Sequence, residues 1–167
     1  TCQPDGDLTT NGCGKMKDFT KQALHEIKKL GATHIWYTGL LAHASQTDYT
    51  AYGIPKNHPS IVKGKAGSPY AIRDYYDVDP DLAEHVDKRM EEFEELVKRT
   101  HECGLKMIID FVPNHVARQY HSIAKPQGVK DLGEDDDCTQ DFNPQNNFYY
   151  IPGQKLGGEI DFHNPEM

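Results

Sequence analysis

No stretch of this sequence is apolar for long enough to cross a bilayer, which takes about 20 consecutive apolar residues. The opening residues lack the basic and apolar blocks of a signal peptide. The first residue is not Met, from which we expect that an upstream part has been removed or left out. Basic residues are in deficit: 18 Lys and Arg against 26 Asp and Glu give a net charge of −8. Without a basic face the chain has no general affinity for nucleic acid or an anionic membrane. The balance suits a soluble protein with a neutral or cationic ligand. Hydrophobic residues are scarce, at 37% of the 167, and the shortfall is local. It falls on residues 1–15 and 121–167, which are polar and rich in Gly, Pro, Asn and Asp, whereas apolar periodicity fills 16–116. Only four cysteines occur, Cys2, Cys13, Cys103 and Cys138, and their spacing matches neither a zinc site nor a redox pair. Cys2 and Cys13 could close a short loop as a disulfide. The plainer reading is four reduced thiols, with Cys103 packed under a helix end.

What is present is an alternation. Phe19, Ala23, Leu24, Ile27 and Leu30 recur at helical spacing, which predicts a helix over 16–30 that stops at Gly31. His34-Ile35-Trp36-Tyr37-Thr38 is a β-branched and aromatic run of strand length. A long irregular segment, 39–86, follows; loops of that length in a compact domain usually have a use. Met90, Phe93, Leu96, Val97 and Thr100 mark a second helix over 87–103, with Asp87 as its expected N-cap and Gly104 as its end. Leu105–Phe111 reads as a second strand, buried on both faces after Lys106. Helix, strand, loop, helix, strand predicts an α/β fold with a parallel sheet. In such sheets ligands gather at the C-terminal strand ends.

Two places therefore matter. At the end of the second strand, Asp110, Asn114 and His115 put a carboxylate, an amide and an imidazole within one turn of chain. A carboxylate accepts hydroxyl hydrogen bonds, an amide oxygen suits Ca²⁺, and an imidazole can donate to a hydroxyl. Alternatively Asp110 braces a loop, Asn114 caps a turn and His115 packs. The long loop carries Ser68–Pro80, where Tyr70, Tyr75 and Tyr76 interleave with Arg73, Asp74 and Asp77. Aromatic rings stack on pyranose faces, and Asp and Arg bind their hydroxyls. The competing reading is a surface loop whose tyrosines pack the rim of the fold.

Asp110-Phe111-Val112-Pro113-Asn114-His115 resembles the D-x-V-x-N-H region of the α-amylase family of glycoside hydrolases, at the end of its third barrel strand. Leu30–Trp36 resembles that family's L-G-V-T-x-I-W entry to strand two. Tyr70–Pro80 resembles its G-Y-D-x-x-D-Y-x-x-I-D-P segment, and Cys103–Asp110 its approach to strand three. The motifs occur in the family's order across 15–120. The resemblance implies an incomplete (β/α)8 TIM barrel over 1–115, with strands two and three, followed by the start of an irregular protruding domain over 116–167. It implies that Tyr70 stacks on the sugar beside the scissile bond, that His115 bonds the same sugar, that Asp110 lines the substrate region as a mainly architectural acid, and that Asn114 is a structural Ca²⁺ ligand. The substrate class implied is α-glucan, whether starch or maltooligosaccharide, and the address secreted, periplasmic or cell-surface. Ala71 stands where the family often has an acid, and Gly67, Ser68 and Pro69 replace the usual approach to the tyrosine, which leaves linkage preference open.

Retaining glycosidases need two carboxylates about 5–5.5 Å apart. In this family they follow strands four and five, which this chain does not reach. We therefore expect the polypeptide alone to be inactive, within a parent that hydrolyses by the two-carboxylate route. Two alternatives remain: a non-catalytic carbohydrate-binding half barrel, and a piece that is stable only through self-association at its open sheet edges. The acidic run Asp135–Asp137 reads as a Ca²⁺ ligand set or as a solvated turn.

Overall fold

In a computed structural model of the chain, residues 12 and 14–154 are described. Cys2 and Cys13 lie outside them. The chain divides into two compact units, 1–124 and 125–167.

The first unit opens with a 3-10 turn at Met16–Asp18 and helix α1 at Lys21–Lys29. The expected helix over 16–30 is therefore broken at Phe19 and Thr20. Thr20 leaves the helical region to act as N-cap, and its Oγ1 accepts from Ala23 N–H at 3.2 Å. Strand β1 spans His34–Tyr37, β2 Leu41–His43, β3 Ile72–Val78, α2 Arg89–Glu102 and β4 Lys106–Ile109. β1 and β4 pair in parallel, His34 opposite Lys106 and Tyr37 opposite Ile109, as the alternation predicts.

The long segment is not irregular throughout. β2 and β3 form an antiparallel pair with a register shift on either side of Ala42. Ala44 N–H to Ala71 C=O at 2.9 Å and Asp79 N–H to Leu40 C=O at 2.8 Å extend it. β3 escaped the sequence because its burial does not alternate: Ile72, Arg73 and Asp74 are all buried, as are Asp77 and Val78.

α2 packs Leu96 and Thr100 inward. The Thr100 hydroxyl meets Tyr37 Oη at 3.0 Å and donates to Leu96 C=O at 2.8 Å. Around them a core forms from Met16, Tyr37, Leu40, Ala83 and Leu96, flanked by Ile35, Phe93 and Met107. Burying a side chain such as Leu96 contributes about 1.5–3 kcal/mol. A second cluster joins Leu24, Cys103 and Leu105, so Cys103 sits under the end of α2 as expected. Asp87 does not cap α2; it lies in a 3-10 turn, and Lys88 precedes the helix without a side-chain cap. The Glu92 carboxylate instead accepts from the N–H groups of Glu84 and His85, at 2.8 and 2.7 Å.

β4 is not buried on both faces. Ile108 and Ile109 are exposed, as are Trp36 on β1 (65%) and Phe111 beyond β4 (70%). Among the described residues its sheet has two strands, and these side chains stay exposed. The first unit extends past His115 through Ala124, because Ala117 N–H donates to Ile72 C=O at 2.7 Å and the Ser122 hydroxyl to Asp74 at 2.6 Å.

The second unit holds no helix or strand among its described residues. Side chains knit it instead. The Asp136 carboxylate accepts from the N–H groups of Asn147 and Phe148, both at 2.8 Å, and Tyr150 Oη donates to it at 3.0 Å. Asn146 bridges both backbone groups of Asp137. The acidic run is thus a hydrogen-bonded turn, with Asp135 paired to Lys130.

Candidate functional site

The parallel pair delivers two chain ends side by side. At the end of β4, Asp110 Oδ1 accepts from Trp36 Nε1 at 2.5 Å, so the two strands are joined through side chains at their C-terminal edge. The bond fixes the carboxylate against an indole and directs the chain into 111–115. Asp110 is half-buried, whereas Asn114 and His115 are exposed.

That loop is held from β3. Tyr75 Oη donates to Val112 C=O and lies 3.3 Å from His115 C=O. The Tyr75 ring packs between Phe111 and Tyr120, each at 5.8 Å between centroids. Burial pushes the Tyr75 phenol above its ordinary range, so it stays a proton donor. Asn114 Nδ2 donates to His115 Nδ1 at 2.6 Å. An amide nitrogen can only donate, so the imidazole carries its own proton on Nε2 and presents a donor there.

Tyr70 sits in a turn ahead of β3 and is 55% exposed. Two glycines set that turn. Gly67 has φ +78°, and a Cβ there would lie 1.8 Å from Ala44 C=O, so only glycine lets this loop close on the strand. Gly39, just past β1, has φ +68° and brings the Pro69 Cβ within 3.1 Å of where its own Cβ would stand. The turn bearing Tyr70 is thereby set beside the end of β1. Among the described residues, no hydrogen bond or ring contact joins Tyr70 to His115 or Asp110.

The acids and arginine interleaved with the tyrosines are not a sugar-facing row. Asp74, Asp77, Asp79 and Asp81 are all buried. Asp77 takes both its oxygens to Arg89, at 2.8 and 2.7 Å. Asp74 accepts from Ser122 Oγ and from the N–H groups of Tyr76, Ile123 and Ala124. Asp79 pairs with His43 Nδ1 at 2.8 Å and caps Asp81 N–H at 2.9 Å. Each charge is retained inside because donors surround it. The sequence reading gave Trp36 only a place in a strand, and gave His43 and Arg89 none. Their partners lie 74, 36 and 12 residues away, and no local pattern announces such pairs.

A Ca²⁺ ion wants six to eight oxygens. Asn114 offers one amide oxygen, and no group of three or more His, Cys, Asp or Glu stands together among the described residues.

The first unit thus carries a strand-end carboxylate at Asp110, an exposed imidazole at His115 and an exposed tyrosine turn at Tyr70. A family model described as alpha amylase, catalytic domain, matches residues 5–159. The chain belongs to the α-amylase family. Among curated α-amylase relatives, Maltase 1 of Drosophila virilis is 30% identical over 132 residues, covering 79% of this chain and 16% of that protein. A human amino acid transporter heavy chain is 43% identical over 51 residues, 30% of this chain and 7% of that one. An alpha-amylase crystal structure from Lactobacillus plantarum is 28% identical with a TM-score of 0.48, over 65% of this chain and 21% of its own. The chain therefore spans a sixth or less of the curated relatives named here.

Proposed function

We propose that this α-amylase-family segment is the sugar-binding portion of a glycoside hydrolase barrel that acts on α-glucans, starch or maltooligosaccharides, by the retaining two-carboxylate route. The observation that carries the reading is the loop at the end of β4, where Trp36 holds Asp110 and Tyr75 holds Val112 and His115 by their carbonyls, leaving an exposed imidazole in the loop that follows a strand-end carboxylate. Tyr70 stacks on a sugar ring, His115 Nε2 donates to a hydroxyl of the same ring, and Asp110 orients the loop. The nucleophile and acid/base come from later strands of a complete barrel. A polymeric substrate goes with a secreted, periplasmic or cell-surface address. Ca²⁺ at Asn114 requires further oxygens beyond its single amide oxygen.

The proteins similar to this chain include one named as a transporter heavy chain as well as one named as a maltase. That favours keeping a second reading, a non-catalytic carbohydrate-binding half barrel. One experiment addresses both. The chain is titrated with maltoheptaose by calorimetry and assayed for new reducing ends. Saturable binding lost in Tyr70→Ala and His115→Ala, with no turnover, is the expected result. Turnover abolished by changing one of the chain's own Asp or Glu residues would sink the assignment of chemistry to missing strands. Restoring strands four and five then separates the readings: hydrolysis appears for an enzyme and does not for a binding module.

A further inference from the structure

Asn57, in the long segment between β2 and β3, is 5% exposed. Its side chain offers an oxygen acceptor and two N–H donors, and buried groups of that kind are nearly always paired. Among the described residues no hydrogen bond reaches the Asn57 amide. The amide is not sealed in either: unlike the closed nitrogens of Arg73, its atoms stay open to water. A buried amide left unmet weakens the fold that carries it. Its place at the edge of a cavity points to a partner from outside the chain.

That cavity, of about 190 Å³, is lined by Asn57 with Pro55, Lys56, Gln119, Tyr120 and His121. Gln119 supplies a second amide. Its Oε1 accepts from His58 N–H at 2.9 Å, which fixes the flip of the group and leaves Nε2, bonded to no described residue, as a donor. Pro55 and Tyr120 add apolar surface, and the Tyr120 ring is braced by Tyr75 at 5.8 Å between centroids. The cations on this wall are already answered. Lys56 lies 3.7 Å from Asp48, and Asp79, Asp77 and Asp74 act on Arg73 through their charge. An anion would find nothing left to neutralise.

The occupant must donate to the Asn57 oxygen and accept from the N–H groups of Asn57 and Gln119. A hydroxyl does both, whereas a carboxylate only accepts and a hydrocarbon does neither. Size narrows the choice. Drug-sized ligands fill about 300–1,000 Å³, and this cavity has room for a single small ring. A pyranose has apolar faces for Tyr120 and Pro55 and a rim of hydroxyls for the amides. We propose that this cavity binds one neutral hexose unit, free or at the end of a glycan chain, on the Asn57 and Gln119 amides. The site uses none of Tyr70, Asp110 or His115, so its failure would leave the α-glucan reading untouched.

The test titrates the full chain with D-glucose, with sorbitol as the open-chain control, and follows amide resonances. Glucose should move the side-chain signals of Asn57 and Gln119 and the backbone amides of 56–57 and 119–121 saturably. It should do so in the unaltered chain and in Tyr70→Ala alike. Asn57→Leu, apolar and of similar size, should weaken glucose binding about tenfold. Its thermal midpoint should stay level or rise, because the change removes an unmet amide and breaks no bond; a structural amide would not behave so. Maltose binding tighter than glucose assigns a chain end, and equal or weaker binding assigns the free sugar. Unmoved signals, shifts lost in Tyr70→Ala, sorbitol binding as tight as glucose, or undiminished affinity in Asn57→Leu overturn the site. A lowered midpoint or failure to fold in Asn57→Leu would show that the amide already has a partner within the fold, and overturns it as well.

Discussion

Asp77 and Arg89 are both largely buried and meet through two hydrogen bonds, so neither can lose its partner cheaply. Removing one member of a buried pair costs about 3–5 kcal/mol, because the other charge is left dry and unpaired. Asp77→Ala should therefore destabilise the first unit by about that much in urea denaturation. The double change Asp77→Leu with Arg89→Met should cost clearly less, since no lone charge remains. Equal losses in the single and double variants would mean that the pair's hydrogen bonds, not its charges, matter. The sequence left Asp77 open between a sugar ligand and part of a surface loop. It could not do otherwise, because a carboxylate facing a hydroxyl and one facing a guanidinium look the same in one dimension.

At the scale of elements, the β2–β3 pair is clasped by His43. Its Nδ1 faces the Asp79 carboxylate at 2.8 Å and its Nε2 faces Ala66 C=O at 3.1 Å. Both partners carry acceptor oxygens, and an acceptor on each side favours the protonated ring. Burial opposes that charge, but the Asp79 bond and field, the Ala66 carbonyl and Asp81 together raise the His43 pKa above its ordinary value. A raised folded value stabilises fully below the unfolded pKa of about 6.5 and is lost as pH rises through the folded value. Asp81, raised by burial, has the same sign but acts in the acidic range. The thermal midpoint should thus fall as pH rises above about 6.5, and His43→Gln should flatten that slope. An unchanged slope in the variant would assign the dependence to other histidines. The helices and the parallel strands were legible, because each carries its own period of apolar residues. The β2–β3 pair was not, because β3 buries charged residues on consecutive positions and has no period to read.

At the scale of the whole molecule, Trp36, Ile108, Ile109 and Phe111 leave apolar surface uncovered on a two-stranded sheet. Exposed sheet edges and contiguous apolar surface seek partners. The isolated chain should sediment as a concentration-dependent oligomer, or bind a hydrophobic dye as a monomer. A dye-silent monomer across a hundredfold range of concentration would show that this surface is tolerated in water.

The sequence by itself determined the α/β alternation, the parallel neighbours β1 and β4, and the strand-end cluster of Asp110, Asn114 and His115. Those depend on residues close in the chain, and local periodicity and motif spacing carry them. Only the tertiary structure decided that four aspartates turn inward and that Trp36 and Tyr75 hold the site loop. Each of these is a meeting of groups far apart in sequence. Whether a polar side chain faces water, sugar or a buried partner depends on which distant donors the fold brings to it.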